Sequence, residues 1–147
     1  MGICCDIYGI DENQIISIEG KEDAMWKFHK TAEDRMDFDK AWPEFSLLLS
    51  CFARKGIPTL NFFDEGGRPI LGSDCDYGEA RYFSPSEVKS INDALSLTSS
   101  KGLLKRAAAQ LDPLVWGCGD ITHALTPLKD FIRRLSLRGK GMLIWFT

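Results

Sequence analysis

Met142-Leu143-Ile144-Trp145-Phe146 is a run of five apolar residues that follows two closely spaced glycines, Gly139 and Gly141. Successive side chains of a strand point to opposite faces of its sheet, so this run presents apolar groups on both faces. A strand of this kind requires cover on each face. We therefore predict that the run forms a strand at the centre of a sheet.

Three further segments have the composition of strands. Residues 3–8 place Ile3, Cys5 and Ile7 on one face at period two, and residues 59–63 form a second apolar run. Gly66-Gly67 predicts a hairpin-type turn, after which Pro69-Ile70-Leu71 returns beside residues 59–63 as an antiparallel partner. Residues 81–83 predict a short strand or an extended entry to a helix.

Helix signals lie between these segments. Asp11 followed by Gln14 predicts an N-capped short helix through Ile18. Residues 21–34 are polar, and they are compatible with either a helix or a mobile loop. Asp39 is predicted to cap a longer helix. The apolar stripe of that helix consists of Ala41, Trp42, Phe45, Leu48, Leu49 and Phe52.

The second half of the chain is predicted to be mainly helical. In Ser84-Pro85-Ser86-Glu87, the serine can cap a helix, the proline suits its first turn, and the glutamate completes a capping box. Residues 101–111 and 122–137 carry apolar residues at helical spacing. Because strands and helices do not alternate regularly, we predict an α+β fold. Residues 1–147 would form a single domain with a mixed or mostly antiparallel sheet packed with several helices.

Composition restricts the classes of function. The formal net charge of −3 disfavours a nucleic-acid partner, because phosphate neutralisation requires clustered cations. No apolar run approaches the ~20 residues of a membrane span, so no membrane association is predicted. The five cysteines match no zinc spacing. We interpret them as reduced, and predict a cytoplasmic protein with no metal site and no cofactor.

The sequence contains no assembled catalytic motif. A nucleophile needs a nearby base, and the two histidines, His29 and His123, are interpreted as surface or capping residues. No nucleotide-binding glycine pattern, zinc-protease motif or nucleophile elbow is present. The sequence therefore favours a protein that is not an enzyme, while leaving an enzyme open as the alternative.

One segment, Asp74 to Phe83, has the residue types of a binding surface. It combines acids and Arg81 with Tyr77 and Tyr82, and tyrosine and arginine anchor interfaces because each offers contact area and directional hydrogen bonds. The structural alternative is that Arg81 pairs with Asp76 or Asp39 and that the tyrosines cover the sheet edge.

Several segments spread over the chain form a recognisable pattern. They are Met1-Gly2-Ile3-Cys4-Cys5, Phe38-Asp39-Lys40-Ala41-Trp42, Pro69-Ile70-Leu71-Gly72, residues 76–88, Leu128-Lys129-Asp130-Phe131 and residues 141–146. In these segments the chain resembles the YfbM-like family, also called DUF1877, of small bacterial proteins of uncharacterised function. The chain departs from the family pattern at Glu79, where proline is usual, and in residues 98–118. The resemblance implies one α+β domain and a bacterial cytoplasm, and it implies no reaction.

From these observations we predict a non-enzymatic protein-binding module, in its concrete form an immunity-type inhibitor of a basic toxin domain. The alternative is a small-molecule binder or enzyme whose anionic ligand is gripped by Arg81 in a pocket under Tyr77 and Trp42. The residues predicted to contact the ligand or partner are Asp39, Trp42, Asp74, Asp76, Tyr77 and Arg81.

Overall fold

Five strands form one antiparallel sheet in the computed structural model, which describes residues 2–54, 56–98 and 121–147. The strands are β1 (Cys5–Ile10), β2 (Arg35–Asp39), β3 (Arg68–Pro69), β4 (Arg81–Phe83) and β5 (Gly141–Phe146). Their order across the sheet is β2-β1-β5-β4-β3, and each neighbouring pair is antiparallel. The predicted α+β class is confirmed.

The apolar run near the C-terminus is the central strand, as predicted. β5 lies between β1 and β4, and its residues from Gly141 to Trp145 are buried. Met142 and Ile144 belong to one hydrophobic core, whereas Leu143 and Trp145 belong to a second core on the opposite face. Two-sided burial follows directly from the unbroken apolar sequence.

Helices cover the two faces of the sheet. They are α1 (Glu12–Ile18), α2 (Ala24–Thr31), α3 (Trp42–Arg54), a 3-10 helix (Pro58–Asn61), α4 (Pro85–Ser96) and α5 (Ile121–Leu137). Helices α3, α4 and α5 supply the core that contains Ile144, and α1 and α2 supply the core that contains Trp145. The predicted helix over residues 101–111 lies outside the described residues.

Both predicted capping boxes are present. The Asp11 side chain accepts a hydrogen bond from the Gln14 amide, and the Ser84 side chain accepts one from the Glu87 amide. The side chains of Gln14 and Glu87 reach back to the two cap amides in turn. These bonds satisfy amides that the first helical turn leaves without intrahelical partners.

Two predictions about the region before β3 were wrong. Residues 59–63 do not form a strand, because Pro58 begins a 3-10 helix and Leu60, Phe62 and Phe63 are all buried by the turn that follows. The antiparallel partner of Arg68 and Pro69 is therefore β4, and not residues 59–63.

Asp39 does not cap α3. It is the last residue of β2, a strand that we did not predict, and it has a positive φ of 46°. β2 is a largely exposed edge strand in which only Phe38 is buried, so its polar composition concealed it. Residues 21–34 contain α2, which resolves the alternative between helix and loop.

Asp34, which precedes β2, is held by two cations that follow α5. Lys140 Nζ lies 2.8 Å from its Oδ2 and Arg138 Nη1 lies 3.1 Å from its Oδ1. The hydrogen bond from Lys140, supported by that from Arg138, lowers the pKa of Asp34 despite partial burial. A lowered folded-state pKa contributes stability above the unfolded value, and this contribution is lost as pH falls through the folded value.

We expect Asp34→Asn to lower the free energy of unfolding by about 0.5–1 kcal/mol at neutral pH, because the pair is partly exposed. The difference from wild type should diminish below about pH 4, the ordinary range of an unfolded aspartate. Urea denaturation from pH 7 to pH 3 measures it. Asp130→Asn, which breaks an exposed pair with Arg133, is the control. A difference that persists unchanged at pH 3 would contradict the electrostatic cause.

Candidate functional site

A cleft of about 350 Å³ lies where α3, the end of β5 and the segment before β4 meet. We call it the Trp42–Tyr77 cleft. Its lining residues are Ile3, Trp42, Phe63, Asp64, Tyr77, Gly78, Glu79, Arg81 and Phe146. The structure thus brings Trp42, Tyr77 and Arg81 to one place, whereas Asp39, Asp74 and Asp76 do not line the cleft.

Trp42 is fixed in place by two contacts. Its indole Nε1–H donates a hydrogen bond to the Ile3 carbonyl oxygen at 2.9 Å. Its ring also meets Phe146 edge to face, with centroids 4.8 Å apart and planes inclined by 70°. Since tryptophan has few rotatable bonds, these contacts hold a large aromatic surface at the cleft.

Tyr77 stands on a tight turn at the same cleft, and the residue is 51% exposed. Positive φ values at Asp76 (71°) and Gly78 (94°) form the turn, and the Asp74 carboxylate accepts a hydrogen bond from the Gly78 amide at 3.1 Å. Asp74 and Asp76 therefore shape the loop that presents Tyr77. The exposed tyrosine offers a partner a large contact area and a directional hydrogen bond.

Arg81 lies beneath the cleft with its guanidinium bound to backbone carbonyls. Nη1 donates to the Gly66 oxygen at 2.9 Å, and Nη2 donates to the oxygens of Phe62, at 2.9 Å, and Phe63. Burial lowers the pKa of Arg81, and the charge of Asp64 opposes that shift. The structural alternative in which Arg81 pairs with Asp39 or Asp76 was wrong, because Nη1 and Nη2 donate to backbone carbonyls instead.

Two carboxylates, Asp64 and Glu79, share the cleft with Arg81. The Asp64 Oδ2 atom accepts a hydrogen bond from the Ser46 hydroxyl at 2.7 Å, which orients the carboxylate. Two carboxylates against one guanidinium give the lining a formal excess of one negative charge. The arrangement is therefore an aromatic cleft with an acidic character, and it favours cations over anions.

A match to a known protein family covers almost the whole chain. The family described as "Domain of unknown function (DUF1877)" matches residues 1–145. The chain belongs to the DUF1877 family. No curated protein and no solved structure matches it. The match to DUF1877 includes all the cleft residues except Phe146.

Asp39 of this DUF1877 chain lies beside the cleft without lining it. Its carboxylate accepts a hydrogen bond from the Cys4 thiol at 3.2 Å, and its amide donates to the Asp37 carboxylate at 2.7 Å. The thiol bond to Asp39 is the principal cause that raises the pKa of Cys4. Cys4 is consequently kept as a neutral thiol, which is a poor nucleophile.

A second polar cluster, which the sequence analysis missed, lies on the opposite face of the sheet. The Tyr8 hydroxyl bonds to His29 Nδ1, and Arg35 Nε donates to the Asp6 carboxylate at 2.8 Å. Asp6 Oδ2 is 4.0 Å from His29 Nδ1. His29 is thus a partly buried residue that links α2 to β1, and its interpretation as a surface or capping residue was wrong.

Burial dominates the ionisation of this second cluster. It raises the pKa of Asp6, which Arg35 opposes, and it lowers the pKa of His29. It also raises the pKa of Tyr8. A signal for the cluster exists in the sequence: Asp6 and Tyr8 share one face of an otherwise apolar strand. The side chain of His123 lies outside the described part of the chain.

Residues 2–54, 56–98 and 121–147 of the DUF1877 chain were searched for metal sites and for membrane-spanning helices. No three His, Cys, Asp or Glu side chains in these ranges gather into a potential metal site. No helix in the same ranges is long and apolar enough to span a membrane.

Proposed function

We propose that this DUF1877 protein is a non-enzymatic protein-binding module that recognises a basic partner protein through the Trp42–Tyr77 cleft. The observation that carries the proposal is the hydrogen bonding of the Arg81 guanidinium. Its guanidinium is bound by the carbonyl oxygens of Phe62, Phe63 and Gly66, so the carboxylates of Asp64 and Glu79 determine the charge that the cleft accepts.

Contact area supports a protein partner. Tyr77 is 51% exposed and Ile3 is 37% exposed, so both present apolar surface at the mouth of the cleft. Trp42 lines the same cleft and packs edge to face against Phe146. Tryptophan and tyrosine dominate the binding energy of many interfaces when a partner covers them, since each buries a large rigid surface.

The concrete form of the proposal is an immunity-type inhibitor that captures a toxin domain in the cytoplasm of a bacterium. The net charge of −3 is suited to a basic partner such as a nuclease domain. Complementary charge accelerates association and discriminates against wrong partners.

The alternative of an anionic small molecule gripped by Arg81 is less well supported. Such a ligand would have to share a guanidinium that already donates to three carbonyl oxygens, and it would also lie close to Asp64 and Glu79. Desolvating an anion beside two carboxylates is unfavourable.

The test is co-expression with the product of the neighbouring gene, followed by purification and titration of the complex. We expect rescue of any growth defect and a stoichiometric complex. Tyr77→Ala should weaken that complex by roughly 10–100-fold, about 1.4–2.7 kcal/mol, as at a central interface residue.

Leu137→Ala is the matched control, because Leu137 is an exposed apolar residue at the end of α5, with 80% of its side chain accessible. The Leu137→Ala variant should bind the partner with the affinity of wild type. Failure to rescue growth together with the absence of any stoichiometric complex would refute protein binding, and equal losses for both variants would refute the choice of surface.

A further inference from the structure

We infer that the Trp42–Tyr77 cleft receives the side chain of a single arginine from the partner. This inference rests on the proposed function and goes further, because it names the group that is recognised. It depends on three features of the cleft: its aromatic walls, its carboxylates and its size.

The aromatic walls attract cations. Trp42 and Tyr77 line the cleft together with Phe63 and Phe146. A guanidinium placed over aromatic rings gains electrostatic attraction from the ring faces, most strongly over tryptophan. The walls are also prepared before binding, since Trp42 is held by the Ile3 carbonyl and the turn beneath Tyr77 is held by Asp74.

The carboxylates supply hydrogen-bond acceptors for the same guanidinium. Asp64 is oriented by Ser46, which contacts only its Oδ2 atom, and Glu79 lines the cleft beside Tyr77. Arginine binds carboxylates through two parallel N–H donors, which adds geometric specificity to charge attraction. Two carboxylates in the lining therefore suit a planar cation.

Arg81 is the one lining group that would repel an incoming cation, and its environment reduces that repulsion. Its guanidinium donates to three carbonyl oxygens, and the charge of Asp64 opposes the lowering of the Arg81 pKa by burial. The lining as a whole retains an excess of negative charge. A second cation can consequently enter above Arg81, whereas an anion would encounter Glu79 and Asp64.

Size and hydration distinguish arginine from other occupants. A volume of about 350 Å³ is at the lower end of ligand pockets, which suits one long side chain and not a folded segment. Guanidinium is planar and more weakly hydrated than the ammonium group of lysine, so it loses less on entering an aromatic cleft. We therefore expect arginine to bind more tightly than lysine.

The direct test uses small probes and the intact protein, with no partner present. N-acetyl-arginine amide is titrated while the Trp42 indole N–H and the Gly78 amide resonances are followed by ¹H–¹⁵N NMR. Trp42→Phe assigns the indole signal. N-acetyl-citrulline amide, which has the same shape without the charge, and N-acetyl-lysine amide are the comparison probes.

We expect saturable shifts of both resonances with N-acetyl-arginine amide, at a dissociation constant of about 1 mM, and at least about tenfold weaker binding of the citrulline probe. Glu79→Gln and Tyr77→Ala should each weaken arginine binding several-fold. Glu22→Gln, at an exposed acid that does not line the cleft, should leave it unchanged. Equal binding of citrulline would overturn the role of charge, and equal binding of lysine would overturn the assignment to arginine.

The two proposals can fail separately. If a stoichiometric partner is found but no arginine substitution in it weakens the complex, and the arginine probe produces no shift, the cleft assignment is wrong while protein binding stands. If the probe binds as expected but no protein partner exists, the proposed function is wrong and the cleft remains a site for a guanidinium ligand.

Discussion

Arg81→Met is expected to lower the free energy of unfolding by about 2–4 kcal/mol, because hydrogen bonds to a charged donor contribute about 1.5–3 kcal/mol and buried acceptors left without partners add a further cost. Arg81 joins β4 to the turn at Phe62 and Phe63 and to the loop at Gly66. Methionine keeps most of the apolar stem but donates no hydrogen bond. The carbonyl oxygens would then depend on water that reaches them from the cleft.

Urea denaturation at pH 7 measures this loss, which should also lower the melting temperature by roughly 2–4 °C per kcal/mol. Arg133→Met is the matched control, because the ion pair of Arg133 with Asp130 is exposed and the substitution should change stability by less than about 0.5 kcal/mol. Arg81→Lys should recover part of the loss, since an ammonium donates to fewer of the carbonyls. A loss below about 0.5 kcal/mol for Arg81→Met would show that the carbonyl bonds are not structurally important.

Gly141→Ala is expected to be similarly harmful, at about 2–3 kcal/mol, the upper part of the range for overpacking a core. A Cβ atom at Gly141 would lie 2.6 Å from Tyr82 Cε2 and 2.8 Å from the carbonyl oxygen of Phe83. The tyrosine side chain is buried and the oxygen belongs to the backbone of β4, so neither can move without disturbing the pairing of β4 with β5. Position 141 therefore requires glycine, because Tyr82 and Phe83 leave no space for a Cβ atom.

Thermal and urea denaturation of Gly141→Ala, compared with Gly2→Ala, provide the measurement. A Cβ at Gly2 would meet only the flexible Lys40 side chain, at 3.0 Å, so that variant should be close to wild type. Circular dichroism at low denaturant checks that both variants fold. If Gly141→Ala were as stable as Gly2→Ala, the packing of Tyr82 against β5 would have to differ from the structure described.

Local chemistry made several elements predictable. β5 was recognised because five successive apolar residues require burial on two faces. The helices that follow Asp11 and Ser84 were recognised because a capping box is complete within four residues of sequence. In each case the groups that stabilise the element are close neighbours in the chain, so no knowledge of tertiary contacts was needed.

The wrong predictions concern elements whose stabilising groups are distant in the chain. β2 is a polar strand that exists because β1 pairs with it, and residues 59–63 turn because Phe62 and Phe63 are both drawn into the core. The partners of Arg81 are carbonyl oxygens, which every residue possesses and which no sequence pattern can mark. The link between Tyr8 and His29 joins residues 21 positions apart in the chain.

The candidate site was likewise predictable in its residue types but not in its arrangement. Residue types alone indicated that Trp42, Tyr77 and Arg81 could contribute to binding, because aromatic and arginine side chains combine area with directional bonds. Only the tertiary structure placed them around one cleft with Asp64, Glu79 and Phe146, where two carboxylates stand against one guanidinium. The physical reason is that composition and capping act within one element, whereas the charge of a cleft depends on which distant donors and acceptors have already been paired.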